Sequence, residues 1–303
     1  MTQTAPASST QGRSNLPLIA MAVIVVVWGM GPPITKLITA PPLVGVLYRF
    51  AISSPIMVLI LMATGGRLSW PLMRKTMLPG LSFGVNLIFV FAALQEATVS
   101  VLSVTVANQP ALLLFLAGPV FGERPTLKHA FWTLGGVAGA AIVILGAGDQ
   151  VRASWLGIGY AVMAMLTFTV YFVLTRVARS NNDVGPIEWM AGVNIWSFLA
   201  AVSPALLLMD RSDFAQFGGT DWLWILIVSL FTGAFGHVLM SWVHGYIDAV
   251  RSSLYMLAMH IVAVSLAWPI HDETVTFVQA LGGVVVLVCV SAVIRLPAKP
   301  VAT

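Results

Sequence analysis

Hydrogen-bonding side chains recur at helical spacing inside stretches of this sequence that are otherwise apolar. The clearest series is Ser229, Gly233, His237, Ser241 and His244, with intervals of four, four, four and three residues. At 3.6 residues per turn these positions share one side of a helix. Neutral polar groups on one face can hydrogen-bond a solute or a neighbouring helix, so the series indicates binding or packing.

Four other apolar stretches carry comparable polar faces. A single buried histidine or asparagine more often joins two helices than contacts a ligand, but five such faces together predict one shared polar cavity. The candidate substrate-binding residues are Trp28, Ser82, Asn86, Gln109, Tyr171, His237, Tyr255 and His260. Apolar walls suited to aromatic or aliphatic side chains would come from Trp28, Phe83, Tyr171, Tyr255 and Met259.

Arg49 is the single charged residue deep within an apolar stretch. It lies seven residues into the segment 42–62, about 10 Å along a helix. A charge at that depth is costly, which leaves two interpretations. It could bind the carboxylate of a zwitterionic substrate, or it could be a structural arginine that bonds helix-end carbonyls or reaches outward to water. From the sequence alone we favour the structural role.

Titratable groups that could couple transport to an ion are sparse. No Asp or Glu lies in the middle of an apolar stretch, whereas ion-coupled carriers commonly use a membrane carboxylate. Transport is therefore predicted to be facilitated or weakly coupled, although His237 or His260 could titrate near neutral pH. The adjacent His271, Asp272 and Glu273 cannot all converge on one ion, so neither a metal site nor a cofactor is expected.

Long apolar segments must position these residues. Of the 303 residues, 58% are hydrophobic and 9% charged, against about 25% charged in soluble domains. The runs are continuous, without the alternation of a β-barrel. The sequence therefore predicts an all-α polytopic membrane protein with ten transmembrane helices of roughly 17–25 residues. The predicted spans are 16–37, 42–62, 77–94, 99–121, 130–146, 155–174, 186–209, 222–242, 249–270 and 275–294.

The second half of the chain repeats features of the first. At a constant offset of 150 residues, Leu116, Pro119, Glu123 and Thr126 match Leu266, Pro269, Glu273 and Thr276. Thr35 and Lys36 match Thr175 and Arg176 more weakly, at an offset of 140. Because each half holds an odd number of helices, the second unit must enter the membrane inverted, the architecture of alternating-access transporters. Two inverted five-helix repeats are therefore predicted, at 16–147 and 148–295.

Positive charges predict the orientation. Eleven Lys and Arg residues fall on the side of the N-terminus and three on the other side. This bias places both termini in the cytoplasm. The segments 1–15 and 296–303 are then cytoplasmic tails, the first of them disordered. A multi-pass protein of the bacterial inner membrane is expected. The formal charge of +4 reflects this orientation rather than a nucleic-acid partner.

Proline and glycine mark where the helices should bend or approach one another. Pro32-Pro33 and Pro110 are the expected hinges, because their spans also carry candidate pathway residues. The pairs Gly80/Gly84 and Gly135/Gly139 predict close helix packing, with a dimer face as one alternative. Glu123 and Glu273 are expected to help start the helices that follow them.

Several short motifs resemble the EamA-type drug/metabolite transporter family across residues 16–295. These are Trp28-Gly29, Tyr48-Arg49-Phe50, and Pro110 followed by Glu123 thirteen residues later. Within the family the chain is most similar to bacterial exporters of aromatic amino acids. The resemblance implies a ten-helix inverted repeat and a central cavity lined by spans 1, 3, 4, 6, 8 and 9, with spans 5 and 10 as outer scaffold. One departure is His260, which occupies the position equivalent to Pro110.

The predicted function is therefore export of aromatic and other hydrophobic amino acids from the cytoplasm by alternating access. A multidrug exporter, or an exporter of nucleosides or sugars, is the alternative within transport. A membrane-embedded transferase is the alternative of another class, although no clustered His, Asp and Glu group supports an enzyme. The expected partners are a small solute and the lipid bilayer, with no nucleic acid, and the chain is expected to be a monomer or a weak homodimer.

Overall fold

The structure is a computed structural model that describes residues 15–121, 126–146, 154–180, 184–272 and 276–296. The predicted tails, apart from Asn15 and Leu296, lie outside this described part, as do Glu123 and Glu273 with their predicted role in starting helices. In chain order the α-helices are α1 (Leu16–Gly29), α2 (Gly31–Thr35), α3 (Pro42–Ala63), α4 (Trp70–Glu96), α5 (Val99–Ala107), α6 (Gln109–Phe121), α7 (Leu127–Leu145), α8 (Trp155–Ser180), α9 (Pro186–Leu208), α10 (Arg211–Ala215), α11 (Asp221–Ile227), α12 (Gly236–Val243), α13 (Ala249–His271) and α14 (Phe277–Ile294). A π-helical segment, Val228–Phe235, joins α11 to α12.

Each predicted span overlaps helix in the described residues, with interruptions at Met30 and Asn108, and α4 begins at Trp70 rather than at the predicted 77. Within the same described residues, seven helical stretches are long and apolar enough to cross a bilayer. They are Leu16–Thr35, Pro42–Ala63, Trp70–Glu96, Trp155–Arg179, Pro186–Leu208, Asp221–Val243 and Ala249–His271. Crossing of the membrane by α5–α6, α7 and α14 stays a prediction.

The helices begin where the sequence supplies a cap or a proline. Proline lies in the first turn of α1, α3, α4 and α9, where a missing N–H costs no hydrogen bond. The Ser69 hydroxyl accepts from the Leu72 amide at the start of α4, and Asp248 accepts from the Arg251 amide at the start of α13. These caps satisfy amides that the helix leaves unpaired.

Helices at matching positions in the two predicted repeats have matching neighbours. α4 packs on α8, and its counterpart stretch 221–243 packs on α1. α5 and α6 pack on α8, and their counterpart α13 packs on α1. α3 packs on α9 and α7 on α14, so that these counterparts pair with each other. This is the set of neighbours expected of two related five-helix units.

Two predicted glycine faces bring helices into close contact within the chain. A Cβ on Gly84 would lie 2.7 Å from the carbonyl oxygen of Ser197, in α9. A Cβ on Gly139 would lie 3.0 Å from the backbone nitrogen of Val286, in α14. Only glycine permits backbones to approach this closely. Both faces are therefore used for packing inside the monomer.

Helix breaks occur next to two of the prolines. α1 ends before Met30, just ahead of Pro32, and α5 ends before Asn108, just ahead of Pro110. A proline lacks the amide that would continue the helical ladder. α13 by contrast runs without interruption through His260, the counterpart of Pro110. The two units therefore differ at the position where the sequence repeat is imperfect.

Candidate substrate-binding cavity

A cavity of about 120 Å³ lies where helices of both units meet. Its apolar wall includes Trp28, Phe83, Leu87, Leu102, Phe168, Met259 and Ala263. Its polar residues are Thr35, Arg49, Asn86, Ser103, Thr232, His237 and His260. The cavity lining thus combines apolar and aromatic side chains with hydrogen-bonding groups and one cation.

Four of the eight predicted site residues line this cavity. They are Trp28, Asn86, His237 and His260. The remaining four, Ser82, Gln109, Tyr171 and Tyr255, do not form part of its wall. Tyr171 lies directly behind the wall, because its hydroxyl is 3.1 Å from Nδ1 of His237. Gln109 is buried, and its Nε2 has no hydrogen-bond partner among the described residues.

His237 is held between aromatic rings. Its ring centroid lies 4.5 Å from that of Trp28 and 4.4 Å from that of Phe83. Phe83 in turn stacks on Tyr171 at 4.7 Å. With Nδ1 bonded to the Tyr171 hydroxyl, the imidazole has little freedom to rotate. The His237 imidazole is therefore held in one orientation between aromatic rings and lines the cavity.

Trp28 is positioned by the stretch 221–243. Its indole N–H donates to the carbonyl oxygen of Thr232 at 3.1 Å. A Cβ on Gly236 would lie only 2.5 Å from Trp28 Nε1, so a larger residue at Gly236 would displace the indole. Glycine at this position thus gives Trp28 the room it occupies in the cavity wall.

The π-helical segment changes which residues face the cavity. Thr232 and His237 both line it although they are five residues apart. Five steps of an α-helix turn through about 500°, which would place the two side chains well apart. A π-helical turn closes hydrogen bonds between residues five apart and brings such positions onto one side. Ser229 and Gly233 of the predicted polar series do not line the cavity, and Ser229 instead donates to the Arg49 carbonyl at 3.2 Å.

Asn86 joins two helices and also faces the cavity. Its Nδ2 donates to the carbonyl oxygen of Ala164 in α8 at 2.7 Å. One turn earlier the Ser82 hydroxyl donates to the carbonyl oxygen of Thr167 at 2.8 Å. With Nδ2 engaged, the amide oxygen of Asn86 is left as an acceptor for a solute.

Arg49 lines the cavity with only 5% of its surface exposed, so it does not reach outward to water. Within the described residues, no helix-end carbonyl accepts a hydrogen bond from its guanidinium, and no carboxylate pairs with it. The structural role favoured from the sequence required Arg49 either to bond helix-end carbonyls or to reach outward to water. The structure shows neither arrangement, because Arg49 lines the cavity.

Two counterpart cations hold helix ends at opposite faces of the bundle. Lys36 donates to the carbonyl oxygen of Ala97, which ends α4, at 3.3 Å. Arg176 donates to the carbonyl oxygen of His244, which ends α12, at 2.8 Å. The start of α8 adjoins the end of α4, since the Ser154 amide donates to the Glu96 carbonyl at 3.1 Å. Arg176 is 22 residues beyond Ser154, about 33 Å along α8, and so lies at the far face.

The face that carries Lys36 has further polar ties. Asp221 is buried and accepts from the amide of Thr39 at 3.0 Å, which fixes the connection between α2 and α3. Gln95 donates to the carbonyl oxygen of Ala40 at 2.8 Å. His271 Nε2 lies 2.8 Å from the carbonyl oxygen of Pro33. These bonds draw together the ends of α2, α4, α11 and α13 above the cavity.

The sequence profile of the EamA-like transporter family matches residues 15–145 and matches again over residues 155–295. The chain belongs to the EamA-like transporter family. The family therefore matches the chain twice, once in each half. With seven apolar helices of spanning length among its described residues, this EamA-like chain is a multi-pass membrane protein of a transporter family.

Individual relatives agree with this assignment. The EamA-like chain is 25% identical over 208 residues to an uncharacterized transporter of Archaeoglobus fulgidus, covering 66% of this chain and 71% of the relative. A solved crystal structure superposes with a TM-score of 0.76 at 18% identity, over 94% of this chain and all of the other. At that identity the superposition shows a shared fold.

Some cavity residues of this EamA-like transporter escaped the sequence analysis. Phe168 and Thr232 are the clearest cases, and Thr232 directly precedes Gly233 of the predicted polar series. Ser103 lines the cavity, and its hydroxyl has no hydrogen-bond partner within the described residues. Across the described part of the chain, no three His, Cys, Asp or Glu residues are grouped to hold a metal ion.

Proposed function

We propose that this EamA-like transporter exports amino acids with apolar or aromatic side chains from the cytoplasm. The observation that carries the proposal is the mixed lining of the cavity, which combines aromatic side chains with hydrogen-bonding groups and one cation. An amino acid has a matching combination, with a polar backbone end and an apolar side chain. The resemblance to bacterial exporters of aromatic amino acids supports the same substrate class.

The size and the rings of the cavity favour a small aromatic or aliphatic solute. Its volume is about 120 Å³. Drug-sized ligands generally occupy pockets of roughly 300–1,000 Å³. Trp28, Phe83 and Phe168 provide ring faces on which an aromatic side chain can pack. The proposal therefore prefers amino acids over bulky drugs.

Alternating access is proposed as the transport mechanism. Both five-helix units contribute walls to one cavity, as expected where inverted repeats meet at the bilayer midplane. The Lys36–Ala97 and Arg176–His244 bonds, called the paired latches below, hold helix ends on opposite faces. Opening one latch at a time would expose the cavity to one side of a bacterial inner membrane. Both termini lie in the cytoplasm in this proposal.

Passive or weakly coupled transport is proposed because no Asp or Glu belongs to the described cavity wall. Organic cations are poor substrates for the same reason, since the one charged wall residue is Arg49. This disfavours a multidrug exporter of aromatic cations.

Counterflow into proteoliposomes tests the substrate class. Vesicles preloaded with unlabelled phenylalanine should accumulate labelled phenylalanine and leucine, and should accumulate glucose, uridine and tetraphenylphosphonium at the rate of protein-free vesicles. Accumulation of uridine or glucose without any amino acid would contradict the proposal. Accumulation of tetraphenylphosphonium alone would favour the multidrug alternative.

A further inference from the structure

We infer that Arg49 is the carboxylate-binding group of the cavity, so that the solutes carried by this protein must bear a carboxylate. The inference rests on the proposed function in taking the cavity as the solute site. It adds a specificity-determining residue and defines the chemical class of the substrate by its anionic group.

The position of Arg49 places its charge well inside the bilayer. α3 begins at Pro42, and Arg49 follows seven residues later, about 10 Å along the helix axis. Its flanking residues point away from water as well, since Phe50 is buried and Tyr48 stacks on Phe217. A buried cation in this setting is costly unless an anion or several hydrogen bonds compensate it.

The described part of the protein does not provide that compensation. It includes no carboxylate within ion-pair distance of Arg49 and no acceptor that takes a hydrogen bond from its guanidinium. A Cβ on Gly233 would lie 3.6 Å from Arg49 Nη2 and 3.9 Å from Nε. Glycine in the π-helical segment thus leaves the guanidinium beside bare backbone, and Arg49 forms part of the cavity wall.

A carboxylate matches this arrangement. The planar guanidinium presents a rigid fork of N–H donors, which bonds the two oxygens of a carboxylate in parallel. An incoming carboxylate would neutralise the buried charge and fill its hydrogen bonds in a single step. A neutral sugar or nucleoside would leave the charge uncompensated, and an organic cation would add a like charge beside it.

The remaining wall groups suit the other parts of an α-amino acid. The Asn86 amide oxygen is an acceptor for an ammonium group because Nδ2 is already bonded to Ala164. His260 lines the same cavity, and its ring has no hydrogen-bond partner within the described residues. A solute that lacks the ammonium group would still satisfy Arg49, whereas one that lacks the carboxylate would not.

Wild-type protein alone supplies the first test. Four compounds of nearly equal size compete with labelled phenylalanine in the counterflow assay: phenylalanine, 3-phenylpropionate, phenylalaninamide and 2-phenylethylamine. We expect the two carboxylates to inhibit within about tenfold of each other, and the amide and the amine to inhibit at least tenfold less well. Inhibition by phenylalaninamide equal to that by phenylalanine would overturn the inference.

Substitution supplies the second test. R49Q should weaken binding of both carboxylates at least tenfold, and R49K, which keeps the charge but loses the fork, should have an intermediate affinity. R74Q removes an exposed arginine of α4 and is the matched control, expected to behave as wild type. Binding is measured as ligand-induced thermal stabilisation of purified protein, so variants that fail to fold are recognised directly. A folded R49Q that keeps the wild-type affinity for phenylalanine would overturn the inference.

The two proposals fail in different ways. If the wild type carries no amino acid but is stabilised by 3-phenylpropionate through Arg49, the amino-acid proposal fails and the role of Arg49 stands. If it carries phenylalanine and phenylalaninamide equally, export of amino acids stands and the role of Arg49 fails. The competition panel and the R49Q measurement separate these outcomes without further assumptions.

Discussion

Lys36 and Arg176 hold counterpart positions in the two units and make counterpart bonds at opposite faces of the bundle. Lys36 lies 3.3 Å from the carbonyl oxygen that ends α4, and Arg176 lies 2.8 Å from the carbonyl oxygen that ends α12. A cation is favoured at a helix C-terminus by the unpaired carbonyls and the helix dipole. A matched cation at a helix end on each face is an arrangement expected of the proposed alternating-access carrier.

Breaking either of the paired latches should open the cavity from one side only. A hydrogen bond from a charged donor contributes about 1.5–3 kcal/mol, so its loss should shift the gate equilibrium at least tenfold. Cys289 is the single cysteine, and replacing it with alanine permits Ser103→Cys to serve as a reporter in the cavity wall. In this background K36M should speed maleimide labelling from the Lys36 face, and R176M from the opposite face.

The latch prediction has a clear contrary result. If K36M and R176M both speed labelling from the same face, or if neither changes it, these bonds do not close separate gates. R74Q again serves as the control, because Arg74 is exposed and takes part in neither bond.

Gly236→Ala should disturb the cavity through Trp28. The new methyl group would lie 2.5 Å from Trp28 Nε1, and such overpacking costs about 1–3 kcal/mol. We expect a lower thermal stability and slower transport of aromatic amino acids. Trp28→Phe removes the clashing atoms, so the double variant should be more stable than G236A by at least about 1 kcal/mol in a double-mutant cycle. If the losses of stability caused by G236A and Trp28→Phe simply add in the double variant, the proposed clash between the Cβ introduced by G236A and the indole is wrong.

Asn86→Ala and His237→Ala should each lower transport about tenfold while leaving the amount of protein in the membrane unchanged. Each loses a polar group that faces the solute, at a cost of ~1–1.5 kcal/mol in binding. Ser82→Ala is the matched control for Asn86, since it removes the neighbouring bond between α4 and α8 without touching the cavity wall. Equal losses in S82A and N86A would mean that both residues serve only to join the helices.

Gly84→Ala should destabilise the contact between α4 and α9. Its Cβ would meet the Ser197 carbonyl at 2.7 Å and the Ala200 side chain at 2.7 Å. Backbone cannot yield as a flexible side chain can, so we expect a loss of about 1–3 kcal/mol and lower expression. Gly159→Ala in α8 is the control, because nothing lies within 4 Å of its Cβ and alanine favours helix. Equal melting temperatures for the two variants would argue against close packing at Gly84.

Transport should continue when the proton gradient is removed. The described cavity wall contains no Asp or Glu that could carry a coupling proton. A protonophore should therefore change the initial rate of phenylalanine efflux from proteoliposomes by less than about twofold. If efflux collapsed under this treatment, transport would be strongly coupled to protons. His237 and His260 would then be the candidate proton carriers.

The helices of this protein were predictable because length and hydropathy alone decide where a chain can enter a bilayer. The starts of the predicted spans at 42, 99, 155, 186 and 249 coincide with the first residues of α3, α5, α8, α9 and α13. The breaks near Pro32 and Pro110 were also predictable, since a missing amide interrupts the ladder at any site. The orientation in the membrane and the crossing by α7 and α14 stay predictions.

The cavity wall was harder to predict because it depends on local departures from the regular helix. The prediction of a polar face from Ser229 to His244 assumed 3.6 residues per turn. In the π-helical segment, however, Thr232 lies in the cavity wall and Ser229 does not. The role of Arg49 could not be assigned from the sequence, since it depends on which groups contact the guanidinium once α3 is packed. Tyr171 was selected for its helical face, yet Phe168 from the same helix fills the wall in its place.

The two units give the cavity unlike halves, with Arg49, Asn86 and Ser103 from one and Phe168, His237 and His260 from the other. Such unequal halves can make passage faster in one direction than in the other. They cannot drive a solute uphill, because a passive carrier only brings the two compartments toward equal chemical potential. If the proposed passive transport of amino acids is correct, a cell relying on this protein would lose amino acids when they accumulate inside and would regain them from a richer medium.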